Sequence, residues 1–156
     1  MSEPAAKAEW PILIRPMTPE DLDFIRPSWA DSLYKEVPWR KMRRRDFKAG
    51  HRATMARLLA RKGSICLIAV APEGEPKYGW VLGAPGLLHY VYVRGIFRRS
   101  GVASRLLENL ARVGDLVGDR DKDADQLVSC WTRHFRYLEG RWPALYNPYL
   151  ALNHED

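Results

Sequence analysis

The chain has 156 residues, of which 46% are hydrophobic and 28% are charged. These values are typical of a globular protein with one core, and the longest apolar runs are too short to cross a bilayer. The first seven residues lack the apolar core of a secretory signal, so we expect a cytoplasmic protein. Cys66 and Cys130 lie in apolar, strand-like runs, which favours buried thiols over a disulfide or a metal site. The predicted organisation is a flexible N-terminus over residues 1–9 and a single domain over residues 10–156.

Positive charge is concentrated in one stretch of a chain whose net charge is +6. Residues 35–62 are crowded with Lys and Arg, but their only acidic residues are Glu36 and Asp46. One interpretation is a solvated basic helix face. The other is a binding surface for nucleic acid, an acidic protein or a polyanionic cofactor. Charge alone does not choose between them.

The hydrophobic pattern alternates short apolar strands with amphipathic helices. Thr18, Pro19 and Asp21 form a helix-start signal, and Gly63 is a helix-stop signal. The predicted elements, in chain order, are a strand at Ile12–Arg15, a helix from Thr18 to before Val37, a helix over Asp46–Lys62, strands at SICLIAV, YGWVLGA and LLHYVYV, a helix over Val102–Val117, a strand at LVSCWT, a short helix at RHFRYLEGRW and an extended piece at PALYNPYLAL. This order predicts a mixed α/β sheet, in which an antiparallel meander is followed by a right-handed crossover through a helix.

The stretch YVRGIFRRSGVASRLL, residues 92–107, places three arginines where a strand gives way to a helix. Cations are unfavourable at a helix N-terminus, because the helix dipole and the free N–H groups there favour negative charge. Arg94, Arg98 and Arg99 therefore indicate a site for an external anion such as phosphate or carboxylate. The chain contains neither G-x-x-x-x-G-K-[ST] nor G-x-G-x-x-G, which excludes a P-loop and a dinucleotide-binding fingerprint.

This stretch resembles the acyl-CoA loop of the GCN5-related N-acetyltransferases (GNAT), whose pattern is [QR]-x-x-G-x-[GA] between the fourth strand and the third helix. Here the pattern is RRSGVA at residues 98–103, preceded by the strand HYVYV and Phe97 and followed by SRLLENL. The resemblance covers residues 10–132. It implies a GNAT-like α/β fold, a mixed and mostly antiparallel central sheet flanked by helices, here with a shortened C-terminal end.

The resemblance also implies where acetyl-CoA, or another acyl-CoA, would bind. The strand ending in Val91 and Val93 would splay from LVSCWT, and the pantetheine arm would lie in the gap. Backbone amides of the turn would hold the pyrophosphate. The residues implied in binding the CoA are Val91, Val93, Arg98, Arg99, Ser100, Gly101, Val102, Ala103 and Ser104.

Transfer of an acyl group from a thioester to an amine needs a proton acceptor and a proton donor. His89 lies two and four residues before Val91 and Val93, so alternation places it on their face, where it is a candidate base or a structural histidine. The family commonly takes its acid from a tyrosine in N-x-x-A-x-x-x-Y, which this chain lacks. Tyr137 and Tyr146 are the candidates that remain.

The acceptor is expected to enter beside the first two helices. Trp29, Tyr34 and Trp39 lie there and are candidate substrate-binding residues, although Trp29 also falls on the apolar stripe of its helix. The leading prediction is a CoA-dependent N-acyltransferase that acts on an amine of a small molecule, a protein or a nucleic acid.

Two alternatives stay open at this point. The first is a non-catalytic module that binds nucleic acid or an acidic host protein. The second is a phage-encoded modification of nucleic-acid bases. It follows from the stretches LHYVYV, FRRSGVA and YNPYL, which look like small acetyltransferase-like proteins of bacteriophages and prophages. Few residues follow the last predicted helix, so an uncovered sheet edge and a homodimer are expected.

Overall fold

The computed structural model describes residues 10–36, 39–117, 127–128 and 145–146, with side chains described up to residue 114. Its elements are β1 (Leu13–Pro16), α1 (Leu22–Tyr34), α2 (Arg44–Ala60), β2 (Ile65–Val70), β3 (Lys77–Ala84), β4 (Leu87–Val93), α3 (Val102–Val117), β5 (Leu127–Val128) and β6 (Leu145–Tyr146). Single turns of 3-10 helix lie at Pro19–Asp21, Trp39–Lys41 and Gly95–Phe97. Among these described helices, none is long and apolar enough to cross a membrane.

The strands form one sheet in the order β1-β2-β3-β4-β5-β6. Each of the first three strands is antiparallel to the next, whereas β5 is parallel to β4 and pairs with Leu87 and Leu88. The predicted meander and the parallel strand after α3 are therefore confirmed, and with them the mixed, mostly antiparallel sheet. The short helix predicted at RHFRYLEGRW falls outside the described residues.

Apolar side chains cover both faces of the sheet. On one face α3 packs against alternate residues of β2, β3 and β4, as its Leu106, Leu107 and Leu110 stripe predicts. On the other face α1 and α2 cover an aromatic cluster that includes Trp29, Trp80 and Tyr90. Each helix thus buries one stripe against the sheet, and the opposite stripe faces solvent.

An ion-pair cluster joins the start of α1 to the sheet. The buried Asp21 carboxylate accepts two hydrogen bonds from the Arg15 guanidinium, at 2.7 and 2.9 Å, and lies 3.1 Å from Lys77 Nζ. It also accepts the Thr18 N–H at 2.8 Å, which is one half of the predicted capping interaction. The hydrogen bond from Arg15 is the main reason that the Asp21 pKa lies far below its ordinary value.

Candidate functional site

The arginine turn, residues 94–101, is attached to the core at its first residue and at Phe97. Its first N–H, from Arg94, donates to the Tyr78 carbonyl at 2.8 Å. The ring of Phe97 is buried against Tyr78, with ring centroids 4.4 Å apart, and against Trp10, with centroids 5.0 Å apart. The aromatic position before the arginines therefore fixes the turn to the sheet, which holds its backbone in one conformation.

The backbone of the turn has two residues in the left-handed region. Arg99 has a φ of 64° and Gly101 a φ of 85°. A Cβ built on Gly101 would meet nothing within 4 Å, so glycine is required here by conformation and leaves open space above the backbone. Turns of this kind bring successive N–H groups together into concave anion sites. A left-handed conformation costs an arginine about 1 kcal/mol, which is a local strain at this position.

The N-terminus of α3 adds further free donors to the turn. The Arg105 N–H donates to the Gly101 carbonyl at 3.1 Å and closes the first helical turn. The N–H groups of Val102, Ala103 and Ser104 precede this bond and have no helical acceptor. Together with the helix dipole they form a site for a negatively charged group.

The arginine side chains of the turn are exposed and differ in what they contact. Arg98 Nε donates to the Val93 carbonyl at 2.9 Å, which folds this side chain back along β4. Arg99 projects from the strained position of the turn, and the Ser100 hydroxyl donates to the Phe97 carbonyl. Among the described residues, no carboxylate forms an ion pair with Arg94, Arg98 or Arg99. Their positive charge is left for a ligand.

His89 lies at an irregularity of the sheet that alternation could not anticipate. Leu82 pairs with Tyr90 and Gly83 pairs with Leu88, so β4 has one extra residue, His89, at a β-bulge. Leu88 packs on the face of the sheet that α3 covers, whereas Tyr90 packs on the face that α1 and α2 cover. Residues two apart in a regular strand share a face, so the bulge breaks the alternation that placed His89 on the same face as Val91 and Val93. A glycine inside a strand is the sequence signal for such a bulge, and Gly83 supplies it.

The chemistry of His89 follows from its burial. Its side chain is 2% exposed, and burial lowers the imidazole pKa from 6.5 to about 4, with a smaller contribution from the positive charge of Arg61. A neutral imidazole with this pKa is a weak base. Tyr137 lies outside the described residues, and of Tyr146 only the backbone, in β6, is described.

Val91 and Val93 are half-buried and pack toward α3. The described part of β5 pairs with β4 at Leu87 and Leu88, before these valines. The splay expected next to Val91 and Val93 involves later residues of the LVSCWT run, which lie outside the described ranges.

The three aromatic candidates near the first helices have different environments. Trp29 is 2% exposed and packs among Tyr90 and Trp80, so the structure favours a core role for it. Tyr34 is half-buried, and its hydroxyl donates to the Met42 carbonyl at 2.6 Å. Trp39 is 38% exposed, with one side of its ring against Phe47. Tyr34 and Trp39 are accessible at the α1–α2 junction, whereas Trp29 is not.

The fold is shared with acetyltransferases of known structure. A GCN5-related N-acetyltransferase from Rhodopseudomonas palustris superposes with a TM-score of 0.64 at 16% identity, covering 88% of this chain and 84% of that one. A Pyrococcus furiosus protein assigned as an acetyl transferase gives a TM-score of 0.63 at 15% identity, over 83% and 91% of the two chains. The enzyme AAC(6')-Iy, bound to the bisubstrate analogue CoA-S-monomethyl-acetylneamine, gives a TM-score of 0.56 at 19% identity, over 93% and 91%.

Sequence comparisons do not add to this likeness. No protein-family model matches the chain. No curated protein matches it either. The structural likeness establishes the fold, and the chain has the α/β fold of the GCN5-related N-acetyltransferases.

Proposed function

We propose that this protein is an acyl-CoA-dependent N-acyltransferase, with acetyl-CoA as the expected donor. The observation that carries the proposal is the arginine turn at the N-terminus of α3. There, directly after β4, lie N–H groups without a helical acceptor and arginines that have no ion-pair partner among the described residues. The pyrophosphate of CoA is an anion of suitable charge for it. AAC(6')-Iy, which shares the fold, binds CoA and a CoA-containing analogue, and this supports the same class of donor here.

In this proposal the backbone of the turn carries the recognition. The N–H groups of Arg99, Gly101 and Ala103 hold the pyrophosphate, and Ser104 lies beside them. Arg98 uses Nε on the Val93 carbonyl, so its terminal N–H groups are free for a phosphate oxygen. The open space above Gly101 lets the phosphates approach the backbone closely.

The transfer step makes one C–N bond and breaks one C–S bond. The neutral amine attacks the thioester carbonyl, the thiolate leaves, and the amine loses a proton while the thiolate gains one. His89 is the proposed base. Its pKa of about 4 makes it a weak proton acceptor, so proton transfer from the amine to water competes with transfer to the imidazole. Tyr137 and Tyr146 stay the proposed proton donors, and the acceptor amine stays unspecified.

Replacing Gly101 by Glu tests the assignment of the turn. The new carboxylate would lie where the phosphates bind and repel them, so we expect calorimetry to show at least a hundredfold loss of CoA affinity. Gly63→Glu is the matched control, because Gly63 has a φ of 84° and an equally open Cβ position but lies far from the turn in sequence. Equal CoA binding by the Gly101→Glu variant and the parent would show that the turn is not the site.

The roles of the proposed acid and base need a separate measurement. We expect Tyr137→Phe or Tyr146→Phe to lower turnover with unchanged CoA affinity if the hydroxyl protonates the thiolate. His89→Ala should lower turnover in a pH-dependent way if the imidazole accepts the proton. Parental turnover in all three variants would leave water and backbone positioning to carry the reaction. A link to phage- and prophage-encoded proteins and a homodimer stay predictions.

A further inference from the structure

The whole net charge of the chain lies in one short segment. Of 25 basic and 19 acidic residues, residues 39–52 contain 7 basic and one acidic, so the 18 of each sign elsewhere balance. This segment covers the 3-10 turn Trp39–Lys41 and the first half of α2. The basic side chains are all exposed, and they are Arg40, Lys41, Arg43, Arg44, Arg45, Lys48 and Arg52. We call the exposed side chains of residues 39–52 the basic surface.

Few of these charges are neutralised by residues that the structure describes. The Asp31 carboxylate lies 3.6 Å from Arg44 Nη2 and 3.9 Å from Lys48 Nζ. Within the described parts of the chain, the other basic side chains of this surface form no ion pair, and they are Arg40, Lys41, Arg43, Arg45 and Arg52. Like charges held together repel each other, and a bound polyanion would relieve that repulsion.

The basic surface continues toward α1. Lys48 and Arg52 lie with Arg26 of α1 around a cleft of about 390 Å³ between the two helices. The cleft floor is apolar and includes Pro27 and Met55. Positive charge therefore extends from the 3-10 turn along α2 to the facing helix, as a band rather than a single spot.

Exposed apolar side chains lie inside this band. Trp39 is 38% exposed and Met42 is 42% exposed, between Arg40, Lys41 and Arg43 in sequence. The Trp39 ring rests against Phe47, with centroids 5.7 Å apart, which supports it from below. A supported, accessible indole among cations matches the way proteins hold single strands, by stacking bases while cations contact the phosphates.

We propose that the basic surface binds single-stranded nucleic acid, with Trp39 as the stacking platform. Arg40, Arg43 and Arg45 contact phosphates without regard to base sequence. The accessible indole favours a single strand over an acidic protein, since carboxylates gain nothing from an aromatic face, and over a duplex, whose bases are already stacked. This inference does not rest on the acyl-CoA site.

The first test measures the charge contribution. The parent is titrated into a fluorescein-labelled fifteen-nucleotide oligo-dT at several salt concentrations, and binding is followed by anisotropy. We expect the slope of log Kd against log salt to flatten by about 2 in the triple variant Arg40→Ala, Arg43→Ala, Arg45→Ala, since each lost phosphate contact on a single strand removes about 0.7. The control triple variant Lys62→Ala, Arg105→Ala, Arg112→Ala removes the same charge from exposed positions elsewhere and should keep the parental slope.

The second test measures stacking. Trp39→Leu keeps an apolar side chain against Phe47 but removes the aromatic face, and we expect oligo-dT binding about fivefold or more weaker. Leu13→Ala is the control, because Leu13 is an apolar residue that is 47% exposed on β1, outside both the basic surface and the arginine turn. If Trp39→Leu is poorly folded by circular dichroism, Trp39→Phe replaces it and should retain most of the binding.

Three outcomes would overturn the proposal. The first is that the parent protein does not bind oligo-dT, or binds it with an affinity that does not depend on salt. The second is an equal loss of binding in both triple variants, which would reflect net charge rather than this surface. The third is a competition experiment in which polyglutamate, at equal charge, displaces the labelled strand as effectively as unlabelled oligo-dT does. That result would assign the surface to an acidic polypeptide instead.

Discussion

Two imidazoles make the folded chain sensitive to mild acid, of which His89 is buried and His51 is half-buried. His51 of α2 stacks on Phe47, with ring centroids 5.1 Å apart, and meets Trp29 edge to face at 5.3 Å. Burial lowers its pKa from 6.5 to about 4, the same value that burial and Arg61 give to His89. Both side chains are therefore neutral in the folded protein at pH values where they are protonated in the unfolded chain.

The sign and size of the effect follow from proton linkage. Between pH 6.5 and 4 the unfolded chain binds more protons than the folded one, so the free energy of unfolding falls as the pH falls. Each histidine lowers it by about 2 kcal/mol from pH 7 to pH 5, and by about 3 kcal/mol at pH 4. Asp21 acts in the same direction but at lower pH, because its lowered pKa stabilises the fold above 3.8, its ordinary value, and that contribution is lost only in stronger acid.

Urea denaturation at pH 7, 6 and 5 measures this loss, with tryptophan fluorescence as the signal. Leucine does not titrate, and among the described residues no group hydrogen-bonds His51 Nε2, so His51→Leu removes the proton without removing a bond. We expect its free energy of unfolding to fall by about 2 kcal/mol less than that of the parent from pH 7 to pH 5. His89→Leu should show a similar difference. Equal losses in parent and variants would mean that both imidazoles are protonated in the folded state, which would refute the reasoning.

Three further predictions use the same denaturation assay. Gly83→Ala should lower the free energy of unfolding by about 3 kcal/mol, because the new Cβ would lie 2.3 Å from the Leu87 carbonyl oxygen. Gly50→Ala should raise the free energy of unfolding by about 0.5 kcal/mol, because Gly50 lies in α2 with open space around its Cβ position. Equal effects at both sites would contradict the crowding. Arg99→Gly should stabilise by up to about 1 kcal/mol while weakening CoA binding, and tighter CoA binding would contradict the role of that arginine. Asp21→Asn should cost about 3 kcal/mol by leaving Arg15 without its carboxylate, and a neutral effect would show that the pair is dispensable.

The sequence was sufficient for elements whose signals are local. The apolar spacing of Leu106, Leu107 and Leu110 predicts α3, and the predicted bounds, Val102–Val117, are those that the structure shows. The helix predicted over Asp46–Lys62 is also present, but it begins and ends two residues earlier, at Arg44 and Ala60. Arg44 and Arg45 offer no start signal, and Gly63 indicates the end of the helix only to within a few residues.

Features that depend on distant residues could not be predicted in this way. The pairing of Asp21 with Lys77 joins residues far apart in sequence, and no local pattern indicates it. The sequence does not decide between a core role and a substrate-binding role for Trp29 for the same reason, since its neighbours Trp80 and Tyr90 come from β3 and β4. Gly83 in β3 is a local signal for the bulge at His89 in β4. The strict alternation that was used to place His89 assumes unbroken pairing of β4 with β3, and the bulge breaks that pairing.

The two positively charged regions of the chain present the same physical problem on opposite faces of the sheet. The arginine turn lies at the N-terminus of α3, and α3 packs on one face, whereas the basic surface belongs mainly to α2, which packs on the other. Each region keeps cations near a helix N-terminus, where the dipole disfavours them, and each leaves most of them without acidic partners among the described residues. Apart from the Asp31 carboxylate beside Arg44 and Lys48, the described residues supply no compensating carboxylate, and both proposals take the anion from outside the molecule. Since the turn is a compact concave backbone site and the basic surface an open band with an exposed indole, we infer a small phosphorylated ligand at the first and an extended polyanion at the second.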